Sequence, residues 1–355
     1  MDNEKKITIY DIAREAGVSP SQVSRAISGR GYVSEASRAK IQELVDKYNY
    51  RPNAVARNLQ RGQSNAVGFL IPHIYQEYFP LVYSVFEREM TEKGYVTIVF
   101  NGKSTPRDEI RNLHLLEELR VDAVVIIGGS LDFADWDRRK DYVQAIRRLS
   151  KNIPCILGNE RAGTLSCSGV YVNIDKGAEE LVRHLAEQGH KTMGVLGGFK
   201  SVHPSYRLQE ALKKFGKQYG LEFRPEWQVF SSYNSHDGAE AMRELLKQKE
   251  LPTAICCIND EIAVGAMGVA MDRGIRVPED IAFTGFDGVD LSREFRPQLT
   301  TIQMDFETMG QKLAELTYNS INGDRQFTDV AVDPSVILRQ STEGCTKCCK
   351  ASSVH

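Results

Sequence analysis

The chain has 355 residues, 41% hydrophobic and 26% charged, which excludes a mostly disordered polypeptide and suggests two or three domains at roughly 150 residues each. Its formal net charge of −2 leaves no strong field over the whole molecule. No apolar run reaches the roughly 18 residues a membrane span needs, and the opening Met1-Asp2-Asn3-Glu4-Lys5-Lys6 carries no apolar signal core. Seven irregularly spaced cysteines (155, 167, 256, 257, 345, 348, 349) argue against a disulfide framework. Together these features predict a chain of the reducing cytoplasm with no membrane partner.

The charge is unevenly spread. Residues 1–64 hold 11 basic against 7 acidic side chains, a net of +4, while the remainder carries −6. A basic head on an acidic body points to a polyanion partner for the head alone. Thr8 and Asp11 form an N-cap pair, and Ile9, Ile12, Ala13 and Ala16 follow at helical spacing up to Gly17, a left-handed C-cap. Ser19, Pro20 and Gln22 then make a capping box with Pro at the first helical position. Two short helices joined by a tight Gly-containing turn form a helix-turn-helix. On the second helix Val23, Ala26 and Ile27 share one side. Ser21, Ser24, Arg25 and Ser28 share the other, with Gln22 at the flank. Small hydroxyls allow close approach to a phosphate-walled groove, and Arg25 can reach a guanine edge.

A third helix starts near Glu35, capped by Ser34, and its Ile41, Leu44, Val45 and Tyr48 close a three-helix core. From Asn53 to Gly62 runs a segment of about eight helical residues, marginal in isolation. It carries Arg57 and Arg61 around an apolar Leu59. This is either a plain linker or a hinge helix that forms on DNA and wedges Leu59 into the minor groove.

These residues carry a specific resemblance. Ile7-Thr8-Ile9-Tyr10-Asp11-Ile12-Ala13, Ala16-Gly17-Val18-Ser19, Val23-Ser24-Arg25, Asn49-Tyr50-Arg51-Pro52-Asn53 and Ala56-Arg57-Asn58-Leu59 resemble the head and hinge of the lac/galactose repressor family, and the similarity runs on to about Ser341. The resemblance implies that Pro20, Ser21 and Arg25 read bases in the major groove. It implies backbone contacts for Thr8, Tyr10, Ser19, Gln22, Ser24, Ser28, Ser34 and Asn53, and minor-groove entry for Ala56 and Leu59.

Beyond Ser64 the chain alternates β-rich runs and amphipathic helices. Strands are predicted at 66–71, 96–100, 123–127, 155–158, 169–173, 193–196, 227–230, 254–257 and 281–285. Helices are predicted at 79–93, 176–187, 205–219, 235–247 and 260–273. Such alternation implies parallel sheets with helices on both faces, and so many strands imply two lobes. The predicted architecture is therefore α/β: a helix-turn-helix head at 1–50, a hinge helix at 51–64, and a two-lobed, periplasmic-binding-protein-like body of two doubly wound parallel sheets at 65–340. The first lobe is drawn over 65–162 and 303–328, the second over 163–302 and 329–340, with a disordered tail at 341–355.

Ligands in these folds bind at the carboxyl ends of strands. The residues there are Tyr78 and Phe79, Asn101, Gly128 and Gly129, Asn159-Glu160-Arg161, Asn259-Asp260, and Phe286-Asp287, with Arg207 in the first turns of its helix. Planar donors, carboxylates and aromatic faces suit a small polyhydroxylated or heterocyclic ligand. The family resemblance assigns effector contacts to Arg207, to Asn259 or Asp260, and to Asp287, and packs an aromatic residue at Tyr78 or Phe79 on the ligand. The chain departs from the family pattern at Glu160, where sugar-responsive members carry Arg, at Asn173-Ile174, and at Gly288.

Other chemistry is weaker. Gly102-Lys103-Ser104-Thr105 ends like a phosphate-binding loop, but Thr97 stands where the pattern needs Gly. Cys345, Cys348 and Cys349 lack the fourth ligand of a zinc site. Glu160, Asp260 and Asp287 could supply a carboxylate pair for acid–base work. No cofactor is implied. The sequence is therefore read as a non-enzymatic repressor that grips double-stranded operator DNA as a homodimer, with a tetramer left open, under control of a sugar-like effector. The resemblance covers effectors that release DNA and effectors that promote binding, and members that dock a phosphorylated carrier protein. The alternative is a solute-binding or sugar-processing protein with the same two-lobed body.

Overall fold

The computed structural model describes residues 7–29, 31–50, 64–102, 105–159, 161, 163, 165–324 and 326–343. The chain forms two compact units, residues 1–64 and 65–355.

In the first unit, α1 (Ile9–Ala16), α2 (Pro20–Ser28) and α3 (Glu35–Lys47) follow the capping signals of the sequence. Thr8 and Asp11, then Ser19 and Gln22, form reciprocal capping boxes, each satisfying amides that the helix itself leaves open. Gly17 takes the left-handed conformation at φ 72°, which lets the chain turn within two residues into the second cap. Ile12, Ala13, Ala16, Val23, Val33, Ile41 and Leu44 form the core, with Val45 and Tyr48 packed on it. Lys47 Nζ and Tyr48 Oη both donate to the Glu15 carboxylate at 2.8 Å, tying α3 to α1.

The second unit contains two six-stranded sheets. The first runs β11-β5-β4-β3-β1-β2 and is wholly parallel: β1 (Ala66–Ile71), β2 (Val96–Asn101), β3 (Ala123–Ile127), β4 (Cys155–Gly158), β5 (Ser168–Val172) and β11 (Asp329–Val332). The second runs β12-β10-β9-β8-β6-β7: β6 (Thr192–Leu196), β7 (Glu222–Val229), β8 (Ala254–Cys257), β9 (Ala282–Asp287), β10 (Thr300–Gln303) and β12 (Ser335–Ile337). Only β12 pairs antiparallel among these, at one edge.

Helices cover both faces of the first sheet. They are α4 (Tyr78–Glu92), α5 (Pro106–Glu118), α6 (Trp136–Leu149) and α12 (Phe306–Ile321). Side chains alternate along each strand. Val67, Phe69 and Ile71 therefore join Val82 and Phe86 of α4 and Leu313 of α12 in one core. Leu70, Val124 and Ile126 join Leu116 of α5 and Ile146 of α6 in another. The second sheet carries α7 (Ile174–Glu187) packed on α8 (His203–Gln218), and α9 (Ser235–Leu245) packed on α10 (Asp260–Asp272), with a short α11 (Leu291–Glu294).

The lobe boundaries differ from the sequence reading. The segments at 168–172 and 329–332, drawn in the second lobe, are β5 and β11 of the first sheet, paired with each other from Asp329 opposite Gly169 to Val332 opposite Val172. The strands β10, β11 and β12 have no counterpart among the predicted runs: they are as short as β4 and β8 but, with Thr300, Thr301, Gln303, Asp329 and Ser335, lack the unbroken apolar run that marks those two. The expected tail at 341–355 starts as ordered chain. Ser341 and Thr342 are buried, and Thr342 Oγ1 lies 3.0 Å from His184 Nε2 and 2.7 Å from Thr300 Oγ1. Cys345, Cys348 and Cys349 lie outside the described residues.

Candidate functional site

In the head, the outward side of α2 exposes Ser21, Ser24 and Arg25, while Val23 is buried. Arg25 Nε donates to the Ser21 carbonyl at 3.2 Å, which lays the guanidinium along the helix surface. Tyr10 on α1 is 67% exposed. Thr8, Ser19 and Ser34 are exposed caps, so each places a hydroxyl and free amide hydrogens at a helix N-terminus, the geometry that receives phosphate oxygens. Pro20 and Gln22 are half-buried beside them, and Ser28 is the last residue of α2. Asn53, Ala56, Arg57 and Leu59 lie outside the described residues.

In the body, strand ends from both sheets converge on a cavity of about 540 Å³ between the lobes. The first lobe contributes the start of α4, the turn after β3 and the residue after β4. The second contributes the loop after β6, the start of α8, and the ends of β8 and β9. The chain crosses from lobe to lobe between β5 and α7, between β10 and α12, and between β11 and β12, and Val172, Ile174 and Met304 of the first two crossings line the cavity.

Of the expected effector residues, Tyr78, Phe79, Asn259, Asp260, Phe286 and Asp287 share this lining. Tyr78 Oη donates to Asn159 Oδ1, and the two rings of Tyr78 and Phe79 meet edge-on at 5.2 Å. Burial, then the nearby Asp287 charge, holds the Tyr78 phenol in its neutral donor form. Asn259 caps α10: its Oδ1 accepts from Ile262 N at 2.9 Å and its Nδ2 donates to the Tyr233 carbonyl at 2.8 Å. Asp260 is wholly buried. It accepts from Thr301 Oγ1 at 2.6 Å and Val289 N at 2.9 Å, and burial raises its pKa to about 7. One oxygen accepts from the turn after β9 and the other from β10, so the carboxyl ties the two together and is not free for acid–base work. Asp287 sits in this turn at φ 95°, and burial followed by the charges of Asp260 and Glu261 pushes its carboxyl well above the ordinary range.

Three expected residues fall outside the lining. Asn101 is exposed at the end of β2. Arg161 stacks on Tyr171, 4.3 Å from the ring centre, and donates to its hydroxyl at 2.8 Å. Arg207, in the first turns of α8, is half-buried but not among the lining residues, whereas Pro204, Ser205 and Leu208 of the same helix are. Glu160 lies outside the described residues.

The lining also includes side chains that sequence reasoning passed over. Asp132 ends the 3₁₀ turn Gly129–Asp132 and Phe133 follows it, and Phe199, Ser205 and Tyr233 line the cavity from the second lobe. Ser205 Oγ and Tyr233 Oη are 2.7 Å apart, and burial pushes the Tyr233 phenol up to about 12. Glu77 and Glu261 complete the acidic rim. Among the described residues no group of three or more metal-ligating side chains exists, and no helix is long and apolar enough to cross a membrane.

Comparison with known proteins accords with this two-part construction. Residues 8–53 match the model for bacterial regulatory proteins of the lacI family, and residues 182–342 match the periplasmic binding protein-like domain. The chain is 29% identical over 343 residues to the HTH-type transcriptional repressor PurR of Actinobacillus pleuropneumoniae serotype 3 (strain JL03), covering 96% of this chain and 99% of that one. The fold superposes on the Lac repressor dimer bound to operator and the anti-inducer ONPF with a TM-score of 0.86 at 24% identity, covering 96% of this chain and 100% of that one. It superposes on a CelR–cellobiose complex with a TM-score of 0.70 at 22% identity, covering 94% and 99%. The catabolite control protein A of Priestia megaterium is 30% identical over 342 residues, 95% of this chain and 99% of the relative, and the chain belongs with it to the lacI family of bacterial regulatory proteins.

Proposed function

We propose that this protein is a cytoplasmic, dimeric repressor whose hold on operator DNA is set by a small polyhydroxylated effector in the interlobe cavity. The observation that carries the reading is the union in one chain of a capped helix-turn-helix with an exposed Ser/Arg face and a cleft formed by strand ends of two sheets. Two heads related by twofold symmetry would meet the two halves of a roughly palindromic site. Within each head, Pro20, Ser21 and Arg25 would face base edges. Thr8, Tyr10, Ser19, Gln22, Ser24, Ser28 and Ser34 would face phosphates, with Asn53, Ala56, Arg57 and Leu59 completing the contact. Phosphate contacts set register, and Arg25 supplies discrimination.

The effector acts on the relative placement of the lobes. Tyr78, Asn159 and Asp132 belong to one lobe, Tyr233 and Asp287 to the other. A ligand that touches both favours the lobe spacing that suits it, and by linkage alters DNA affinity by the same factor that DNA alters its own. The rival reading, a solute-binding or sugar-processing protein, gives the head no role, and Asp260, one of its acid–base candidates, is engaged by Thr301 and the turn after β9.

Selection of duplexes from a random pool, followed by salt titration of the winner, tests the proposal. A specific site whose affinity falls steeply with salt supports it. Salt-insensitive binding, or no enriched sequence with and without candidate ligands, refutes it.

A further inference from the structure

The charge of the cavity restricts what can fill it. Five carboxylates are among its described lining residues: Glu77 and Asp132 from the first lobe, and Asp260, Glu261 and Asp287 from the second. Neither Lys nor Arg is among them, and the one imidazole, His73, is held below its usual pKa by burial and is neutral at pH 7. Arg161 is engaged with Tyr171, and neither it nor Arg207 is among the described lining residues. Asp260 is satisfied by Thr301 and the turn after β9, but the Asp287, Glu77 and Glu261 carboxylates take no hydrogen bond or ion pair from another described residue. These groups feel one another across the cleft. After burial, Asp260 and Glu261 raise Asp287, and Glu77 raises Glu261. Carboxyl groups whose charged forms are disfavoured by burial and by one another resist a further anion, and a cation placed among them restores the charged form and pairs with it.

The apolar part of the lining gives the ligand its shape. Tyr78 and Phe79 present an aromatic pair on one lobe, and Phe199 and Tyr233, 6.3 Å apart and T-shaped, present another on the second. Aromatic faces take the C–H side of a saturated ring and also attract an ammonium group. A cavity of about 540 Å³ has room for one or two such rings.

We propose that the cleft accepts a hydroxylated ring bearing a protonated amine, the chemistry of an amino sugar, and rejects phosphorylated sugars. The amine is held by Asp287, and the ring lies between the two aromatic pairs. This rests on the cleft being the effector site, as proposed above.

Calorimetry on the full-length protein at pH 7 tests it with matched probes in the gluco, galacto and manno configurations: the 2-amino sugar, the parent hexose and the hexose 6-phosphate. On at least one ring the amine binds more tightly than the hexose by about tenfold, the worth of a charge-assisted hydrogen bond, and the phosphate is not bound. Asp287→Asn, which keeps a residue tolerant of positive φ, removes that preference. A phosphate or a neutral hexose that binds as tightly as the matched amine overturns the proposal, as does silence from every amine. If a neutral hexose binds and alters operator affinity, the cleft remains the effector site and only the cationic class falls. If an amine binds with an affinity that neither Asp287→Asn nor Tyr233→Ala changes, the cleft itself is the wrong site.

Discussion

Phe133 of the first lobe and Val202 of the second face each other in an antiparallel backbone bridge, and beside it the Ala134 amide donates to the Ser201 carbonyl at 2.8 Å. The lobes are thus joined by main-chain hydrogen bonding as well as by their chain crossings. Phe133 has φ −66° and ψ 123°, a conformation compatible with a following proline. Ala134→Pro therefore removes the donor with little strain at Phe133. A net hydrogen bond is worth about 1 kcal/mol, so the lobe arrangement seen here should lose roughly fivefold in weight. Small-angle scattering of the ligand-free variant should report a larger radius of gyration than wild type. An unchanged radius means the bridge does not hold the lobes together.

Glu109 on α5 is buried under the same turn, accepting the Ser130 amide at 2.9 and 3.2 Å, and burial raises its pKa to about 7. The unfolded chain releases this proton near 4.5, the folded chain near 7. Between those values the folded state binds more protons, so stability falls as pH rises through the window. Glu109→Gln keeps an acceptor without the charge. It should stabilise the protein by about 1–3 kcal/mol at pH 8, with the gain vanishing towards pH 4.5. Denaturant unfolding at a series of pH values measures this, and a pH-independent difference would contradict the assigned titration.

Helices α9 and α10 touch backbone to backbone. A Cβ on Gly265 would lie 1.8 Å from the Ser235 carbonyl oxygen, whereas a Cβ on Gly268, one turn along the same helix, meets nothing within 4 Å. Gly265→Ala should destabilise by about 3 kcal/mol through forced separation of the helices. Gly268→Ala should stabilise by about 0.5–1 kcal/mol through helix propensity alone. Thermal melts of the pair make each variant the control for the other, and equal melting points would show that α9 and α10 do not pack this closely.

For the head, Arg25→Ala should cost about 1–3 kcal/mol of operator affinity and relax preference at one base position per half-site. Ser24→Ala should weaken binding uniformly across sequences, as a phosphate contact does. Competition binding against single-base operator variants separates the two. An unaltered base profile in Arg25→Ala moves base reading elsewhere.

The head was legible because its signals are local. Thr8 with Asp11, Gly17, and Ser19 with Gln22 act within a few residues of one another, and each cap stands where the spacing put it. The long central strands were legible for a similar reason: 66–71 and 123–127 are unbroken apolar runs buried on both faces. The cleft was half legible. Strand ends pointed to Tyr78, Asn159, Asn259 and Asp287, but membership of the lining depends on helix phase and on the other lobe. Arg207 is absent from the lining although its helix neighbours Ser205 and Leu208 belong to it, while Phe133 and Tyr233 enter only because two distant loops meet. The division between lobes was misdrawn because β11 pairs with β5 across more than half the body, a contact that no local pattern encodes.

That same pairing orders events on the ribosome. The first sheet cannot acquire its last strand, Asp329–Val332, or the covering helix Phe306–Ile321, until the whole of the second sheet up to Gln303 has been synthesised. Until then β5 is an unpaired edge, open to any extended segment nearby. The later-made lobe is therefore the one able to complete its main sheet first, and the nascent first lobe is where chaperones would find a binding site and where arrested translation would leave a sticky product.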